Sequence, residues 1–156
     1  MHDLLIRYQK GPDILEARLA GVAPELLDLR PTYPGAWTIR EHVIHMVDSE
    51  CNNFIRLKSI IAQPGSVGFV MDEEAWTRNL AHKREDVAKY TRLFRLLREI
   101  VVDLVADELE HNQGFFLRTY QGKTDKITLR QGLEIYARHV DLHMEFIDRI
   151  LQNRSV

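Results

Sequence analysis

Tyr136-Ala-Arg-His-Val-Asp-Leu-His-Met-Glu-Phe146 is the stretch around which the fold of this chain is organised. From Leu129 to Ile150, apolar and aromatic residues recur every three or four positions, which predicts an amphipathic helix. His139 and His143 fall on its inward-facing row. Because side chains four residues apart lie one above the other on a helix, these two imidazoles can reach one metal ion.

The histidine pair also has a purely structural explanation. A single inward histidine is most often a hydrogen-bonded core residue. Two imidazoles buried side by side must each find a partner, however, and one shared cation satisfies both while the surrounding core stays apolar. The pair alone is weak support for a metal, so the hypothesis requires a third ligand elsewhere in the chain.

A second helix signal begins at Thr38-Ile-Arg-Glu41, a capping box followed by an apolar-periodic run to about Ala62. Polar residues also recur at helical spacing along this run: Glu41, His45, Asp48, Asn52 and Arg56. Such a row usually faces solvent, but this mixture of side chains also suits the wall of a polar cavity. We therefore expect His45 to be the third ligand, while spacing alone does not separate it from His42.

Two further long helical segments are predicted. One runs from Asp3 to about Ala20 and is interrupted at Gly11-Pro12, because proline removes a backbone donor and clashes with the preceding turn. The other runs from about Glu85 to Asp107 and has a wide apolar face that should touch two neighbours or a second subunit. The residues that widen this face are Leu93, Leu96, Ile100 and Val105.

The remaining segments are predicted to be shorter. Asp72-Glu-Glu-Ala-Trp76 begins a short helix that ends near His82, and its acidic cluster fits the charge preference of a helix N-terminus better than catalysis. Phe115 to Asp125 suggests a brief extended piece and a turn, too short to argue for a sheet. A capping box at Thr128-Leu-Arg-Gln131 starts the last helix. The sequence thus predicts an all-α four-helix bundle.

Composition limits the classes of partner. A chain of 156 residues is expected to form one domain, residues 1–156. Its 21 basic and 23 acidic residues are interspersed, which predicts no binding to nucleic acid or to a membrane surface. Cys51 is the only cysteine, and no apolar run of about 18 residues occurs, so we expect an unprocessed cytoplasmic protein without an intramolecular disulfide.

If the helix that begins at Thr38 packs against the last helix, His45 lies opposite His139 and His143. Three protein ligands with one open position are typical of a catalytic metal site, whereas a structural zinc normally has four. Imidazole suits zinc, nickel, iron or copper. An open metal either activates water as a nucleophile or binds a thiol as thiolate. Asp48, Asn52 and Arg56 are then candidates for orienting the ligands or holding an anionic substrate group.

Two segments of the chain resemble the signatures of the DinB-like superfamily. These are Trp37-Thr-Ile-Arg-Glu-His-Val-Ile-His-Met-Val-Asp-Ser-Glu50, followed by Asn53-Phe-Ile-Arg56, and Tyr136-Ala-Arg-His-Val-Asp-Leu-His143. Asp72-Glu73 with Trp76 resembles an element between them. The branch most similar to this chain contains metal-dependent hydrolases related to bacillithiol S-transferases, and the resemblance runs over nearly the whole chain.

The resemblance implies a bundle, often dimeric, that holds a divalent metal, commonly nickel or zinc, with three histidines. It favours His45 over His42, and the other two ligands are then His139 and His143. Where members of that branch tend to have further histidines after the second signature, this chain has Met144, Glu145 and Ile147. This departure leaves the metal triad intact, and the inferred substrate does not carry over from that branch.

The expected function is that of a metal-dependent enzyme that transfers or conjugates a low-molecular-weight thiol to a small electrophile, acting as a homodimer. Hydrolysis of a small ester or amide is the enzymatic alternative. A metal-stabilised interaction protein without enzymatic activity is the third possibility. Coordination separates these classes, because a closed site with four protein ligands would exclude the enzyme.

Overall fold

The computed structural model describes residues 2–80, 82–111, 119–121 and 126–152. In these ranges the helices are α1 (His2–Gln9), α2 (Gly11–Leu19), α3 (Ile39–Ala62), α4 (Glu73–Asn79), α5 (Val87–His111) and α6 (Leu129–Gln152). Two 3₁₀ turns lie at Pro24–Asp28 and His82–Arg84. The α1–α2 pair, α3, α5 and α6 pack into a four-helix bundle, with α3 against both α5 and α6. The predicted fold class is confirmed.

The helix starts follow the capping signals in the sequence. Thr38 Oγ1 accepts the backbone N–H of Glu41 at 3.2 Å, and the Glu41 carboxylate accepts that of Thr38 at 2.8 Å. Thr128 and Gln131 make the same exchange at the start of α6, at 3.1 and 2.9 Å. Asp72 caps α4 by accepting from the backbone of Ala75 at 2.9 Å. Each of these side chains accepts a hydrogen bond from a backbone N–H that a helix N-terminus would otherwise leave unpaired.

A short antiparallel pairing precedes α6. Strand β1 (Thr119–Gln121) pairs with β2 (Lys126–Thr128), with Thr119 opposite Thr128. Thr119 and Tyr120, the described part of the predicted extended piece, lie in a strand that is hydrogen-bonded to a second strand. Of the predicted turn from Gln121 to Asp125, Gln121 belongs to β1. Residues 115–118 and 122–125 lie outside the described residues. Helix α5 reaches His111, four residues beyond the Asp107 expected from the sequence.

Two clusters of buried side chains form the core between these helices. One contains the aromatic ring of Tyr8 with residues of α3, α5 and α6, among them Leu57, Val101 and Leu133. The second cluster lies nearer the start of α3 and the end of α6 and includes Met46, Phe94, Val140 and Ile147. None of the described helices combines the length and apolarity that crossing a membrane requires.

The helix is interrupted at Lys10, and α2 restarts at Gly11-Pro12, where the sequence predicted the interruption. Pro12 has no N–H for the carbonyl of Tyr8, four residues earlier, and so leaves this acceptor without its helical partner. Arg98 of α5 supplies the missing donor, because its Nη1 lies 2.7 Å from the Tyr8 oxygen. A Cβ on Gly11 would overlap Arg98 Nη1. Glycine at position 11 therefore makes room for the guanidinium.

Arg98 also links the other helices of the bundle. Its Nε donates to Glu50 of α3 at 2.9 Å, and its Nη2 donates to the carbonyl of Tyr136 in α6 at 2.7 Å. Both members of the ion pair are 1% exposed. Tyr8 and Asn53 donate to the same Glu50 carboxylate, so a fully hydrogen-bonded polar network holds four helices together at the centre of the bundle.

Candidate metal centre

Three histidines from two helices meet in the interior of the bundle. His45 of α3 and His139 and His143 of α6 each offer one ligand atom, and these atoms all lie within 4.8 Å of one another. The Nε2 atoms of His139 and His143 are 2.9 Å apart. The ring of His45 lies 5.3 Å from that of His139 and 5.0 Å from that of His143. The structure thus brings the three predicted ligands together.

Antiparallel packing of α3 and α6 produces this meeting. His45 near the start of α3 faces the second half of α6, while Leu57, farther along α3, meets Gly132 near the start of α6. A Cβ on Gly132 would lie 3.2 Å from Leu57 Cδ2, so the absence of a side chain lets the helices approach closely. The two α6 histidines lie one turn apart and face α3 together.

Burial holds the three imidazoles in their neutral form. The side chains of His45 and His143 are 2% and 5% exposed, and His139 is half-buried. Burial, reinforced by the other histidines, lowers the pKa of His45 to about 3. Burial also lowers the pKa of His139 to about 4, and it pushes the pKa of His143 further down. Metal binding needs unprotonated nitrogens, so the cluster is already in the state that a cation requires.

The donor set fits one divalent ion. Two nitrogens that share a tetrahedral zinc lie about 3.3 Å apart, given zinc–nitrogen bonds of 2.0–2.1 Å. The distance of 2.9 Å between Nε2 of His139 and Nε2 of His143 is close to that separation. Three neutral nitrogen donors suit zinc or a neighbouring transition metal better than calcium or magnesium, which prefer oxygen. The residues present thus match the cofactor expected from the sequence.

Aromatic rings surround the three histidines. Trp37 lies two residues before the start of α3. Its ring meets the ring of His45 edge-on, with the centroids 4.9 Å apart. Phe146, one turn after His143 on α6, lies 6.0 Å from the ring of His143. These rings exclude water from part of the cluster and lower the local dielectric, which strengthens electrostatic interactions there.

The polar row of α3 departs from the solvated face that such rows usually form. Glu41 is buried beside Arg30, and Asp48 lies 3.0 Å from Nε2 of His82 in the turn after α4. Arg56 donates to the hydroxyl of Tyr136 at 3.1 Å. Asn52 is half-buried.

Tyr136 connects Arg56 to the edge of the cluster. The ring of Tyr136 lies 5.9 Å from that of His139, one turn later on α6. Asp48 is held instead against His82, which is 2% exposed. Arg56 is thus linked through Tyr136 to His139.

Two other histidines, His42 and His82, are buried near the three-histidine cluster. His42, left open as an alternative ligand, places its Nδ1 3.0 Å from Nδ1 of His143. Its spacing of three residues from His45 is the sequence signal that put it on this side of α3. His82 lies in a short turn without helical periodicity, so no pattern in the sequence pointed to its pairing with Asp48.

The comparisons with known proteins agree with this architecture. The family described as the DinB superfamily matches residues 7–147. YfiT of Bacillus subtilis, named a "putative metal-dependent hydrolase", is 26% identical over 131 residues, 77% of this chain and 67% of the relative. A protein of Halalkalibacterium halodurans with the same description, BH0277, is 25% identical over 144 residues, 88% of this chain and 80% of the relative.

Solved structures extend the likeness of the fold. The structure of YfiT from Bacillus subtilis, described as "a probable metal-dependent hydrolase with an unusual four-helix bundle topology", superposes with a TM-score of 0.87. It is 23% identical, and the match covers 97% of this chain and 86% of that one. A mycothiol-dependent maleylpyruvate isomerase superposes with a TM-score of 0.70 at 13% identity, covering 96% of this chain and 67% of the other.

Proposed function

The chain belongs to the DinB superfamily, and from that membership and its three-histidine cluster we propose that it is a divalent-metal-dependent enzyme. Its reaction is the transfer or conjugation of a low-molecular-weight thiol to a small electrophilic substrate. The observation that carries the proposal is the convergence of His45, His139 and His143 on one point in the bundle. The cofactor is one nickel or zinc ion, for which three imidazoles are suitable ligands.

Three protein ligands favour an enzyme over a structural site. Nitrogen donors from three residues leave one position of a tetrahedral ion for water or substrate. The closed four-ligand site of a metal-stabilised interaction protein would need another donor, and the described residues gather only these three ligand atoms. Cys51 does not supply it: it packs against the second core cluster, and burial raises its thiol pKa to about 11.

The chain's own residues supply binding and orientation. A divalent ion at this site would lower the pKa of a bound thiol or water and so provide a nucleophile at neutral pH. Trp37 forms an apolar wall beside the cluster. Arg56, held by the Tyr136 hydroxyl, is positioned to attract an anionic group of the substrate toward His139. Asp48 and Asn52 remain candidates for orienting groups farther along α3.

The similar proteins support two different reactions. The mycothiol-dependent isomerase that shares the fold supports thiol chemistry. The relatives named as metal-dependent hydrolases support the alternative, hydrolysis of a small ester or amide. Both reactions use the same open metal position, so the fourth ligand during turnover, a thiolate or a hydroxide, distinguishes them.

An assay of the metal-loaded protein tests the reaction. The protein, loaded with nickel or zinc, is supplied with a panel of cellular thiols and a small electrophile, and separately with esters and amides. We expect conjugate formation with at least one thiol, and loss of this activity in His139→Ala. Ester or amide turnover without thiol turnover across the panel would contradict thiol transfer and favour the hydrolase.

A further inference from the structure

The fourth buried histidine of the cluster lies behind a ligand. His143 stands between two other imidazoles: its Nε2 lies 2.9 Å from Nε2 of His139, and its Nδ1 lies 3.0 Å from Nδ1 of His42. The two nitrogens of one ring point in different directions. His42 therefore contacts the His143 nitrogen other than the one that lies beside His139.

We propose that His42 is a positioning residue that fixes His143 as a metal ligand, by accepting a hydrogen bond from the Nδ1–H of His143. This inference rests on the proposed metal centre. A neutral imidazole carries one proton, so a His143 ring that protonates Nδ1 presents the bare Nε2 lone pair to the cation. Metal-bound histidines commonly donate their second N–H to a carboxylate, carbonyl or water, and such partners fix the ring's orientation.

His42 is held rigidly for this role. Its ring stacks on Phe146 with centroids 5.2 Å apart and planes 8° from parallel. Trp37 packs against it at 5.4 Å. The side chain is 5% exposed, so solvent does not compete for its nitrogen. Packing thus leaves little freedom for either ring to rotate out of the hydrogen bond.

The protonation state of His42 suits an acceptor. A neutral imidazole has one nitrogen that carries the proton and one that is free to accept a hydrogen bond. When Nδ1 accepts from His143, the proton of His42 lies on Nε2. That atom is buried and has no hydrogen-bond partner among the described residues, so no contact at Nε2 selects one tautomer of His42 over the other.

Two substitutions separate the hydrogen bond from the packing. His42→Phe keeps an aromatic ring to stack on Phe146 and removes the acceptor. His42→Asn places an amide oxygen close to the position of Nδ1 and so retains an acceptor. Zinc affinity of the wild type and both variants is measured by competition with a chromophoric chelator, and circular dichroism checks that each remains folded.

We expect His42→Phe to bind zinc about 10 to 100 times more weakly than the wild type, as is typical when such a partner is lost, and His42→Asn to stay within a few-fold of it. Equal affinity in His42→Phe, or an equal loss in both variants, would overturn the positioning role. Failure of the wild type to bind either zinc or nickel would instead overturn the metal centre, and this inference with it.

The tautomer of His143 gives a readout in the unmodified protein. In zinc-loaded wild type, long-range nitrogen–proton NMR correlations of the imidazoles should show the His143 proton on Nδ1 and the metal-shifted nitrogen at Nε2. A proton on Nε2 of His143 would overturn the proposal even if the His42 variants failed to fold.

Discussion

At the scale of single residues, the histidine cluster makes the metal-free protein sensitive to acid. Burial depresses the pKa of His45 and His139 to about 3 and 4, below the usual value of 6.5. The unfolded chain therefore takes up protons at a pH where the folded chain does not. The stability of the folded state is fully present above pH 6.5 and falls as the pH drops toward the folded-state pKa values.

We predict that the metal-free protein loses stability between pH 7.5 and pH 5.5, by about 1 kcal/mol for each buried histidine of the cluster. Urea unfolding at several pH values measures the loss. The slope of the free energy of unfolding against pH gives the number of protons taken up on unfolding. His45→Phe should reduce that count by about one. A stability independent of pH over this range would show that the histidines are not buried as described.

The sequence identified these histidines only in part. The spacing of His139 and His143 and the polar row of α3 pointed to residues that the structure brings together. Spacing left His42 and His45 as alternatives, because residues three apart share one side of a helix. The structure places both there, His45 among the three convergent ligands and His42 behind His143. Only the tertiary packing of α3 on α6 distinguishes their positions.

At the scale of helices, the break between α1 and α2 depends on Arg98. Pro12 leaves the Tyr8 carbonyl without a helical donor, and Arg98 reaches it across the space that Gly11 leaves open. The periodicity of α5 indicates that Arg98 points inward, because it falls on the same row of the helix as Phe94 and Val101. Charged residues are rarely buried, so the network that Arg98 forms with Glu50 could not be predicted from the sequence pattern.

We predict that Gly11→Ala destabilises the protein by about 1–3 kcal/mol, although alanine normally stabilises a helix relative to glycine. The added methyl group would overlap Arg98 Nη1 and lie 3.1 Å from Val140 Cγ2. Gly21→Ala is the matched control, because a Cβ added at Gly21 would meet no side chain or distant backbone within 4 Å. Equal stability of the two variants in urea unfolding would contradict this role of Gly11.

At the scale of the whole molecule, the four-helix bundle was predictable because its determinants are local. Two capping boxes, the proline break and the three-four apolar spacing each specify a helix without reference to the others. The choice of neighbouring helices is not local. The predicted site required α3 to pack on α6, which the structure shows, and Gly132 facing Leu57 became meaningful only with both helices in place.

The homodimer predicted from the sequence remains a prediction. Leu93, Leu96 and Ile100 on α5 are 40%, 53% and 40% exposed, while Val105, expected on the same face, is buried. We expect sedimentation of the wild type at about twice 18.3 kDa, and of Leu96→Glu at the monomer mass, since a buried carboxylate would disfavour the interface. Ile55→Glu, at an exposed position of α3, is the control. A monomeric wild type would contradict the prediction.

The most direct test of the metal centre is elemental analysis of the purified protein beside His45→Ala, His139→Ala and the exposed-site control His2→Ala. We predict about one equivalent of nickel or zinc in the wild type and in His2→Ala, and strongly reduced metal in the two cluster variants, which should still fold because most of the core is unchanged. Stoichiometric metal retained in both His45→Ala and His139→Ala would contradict the three-histidine site.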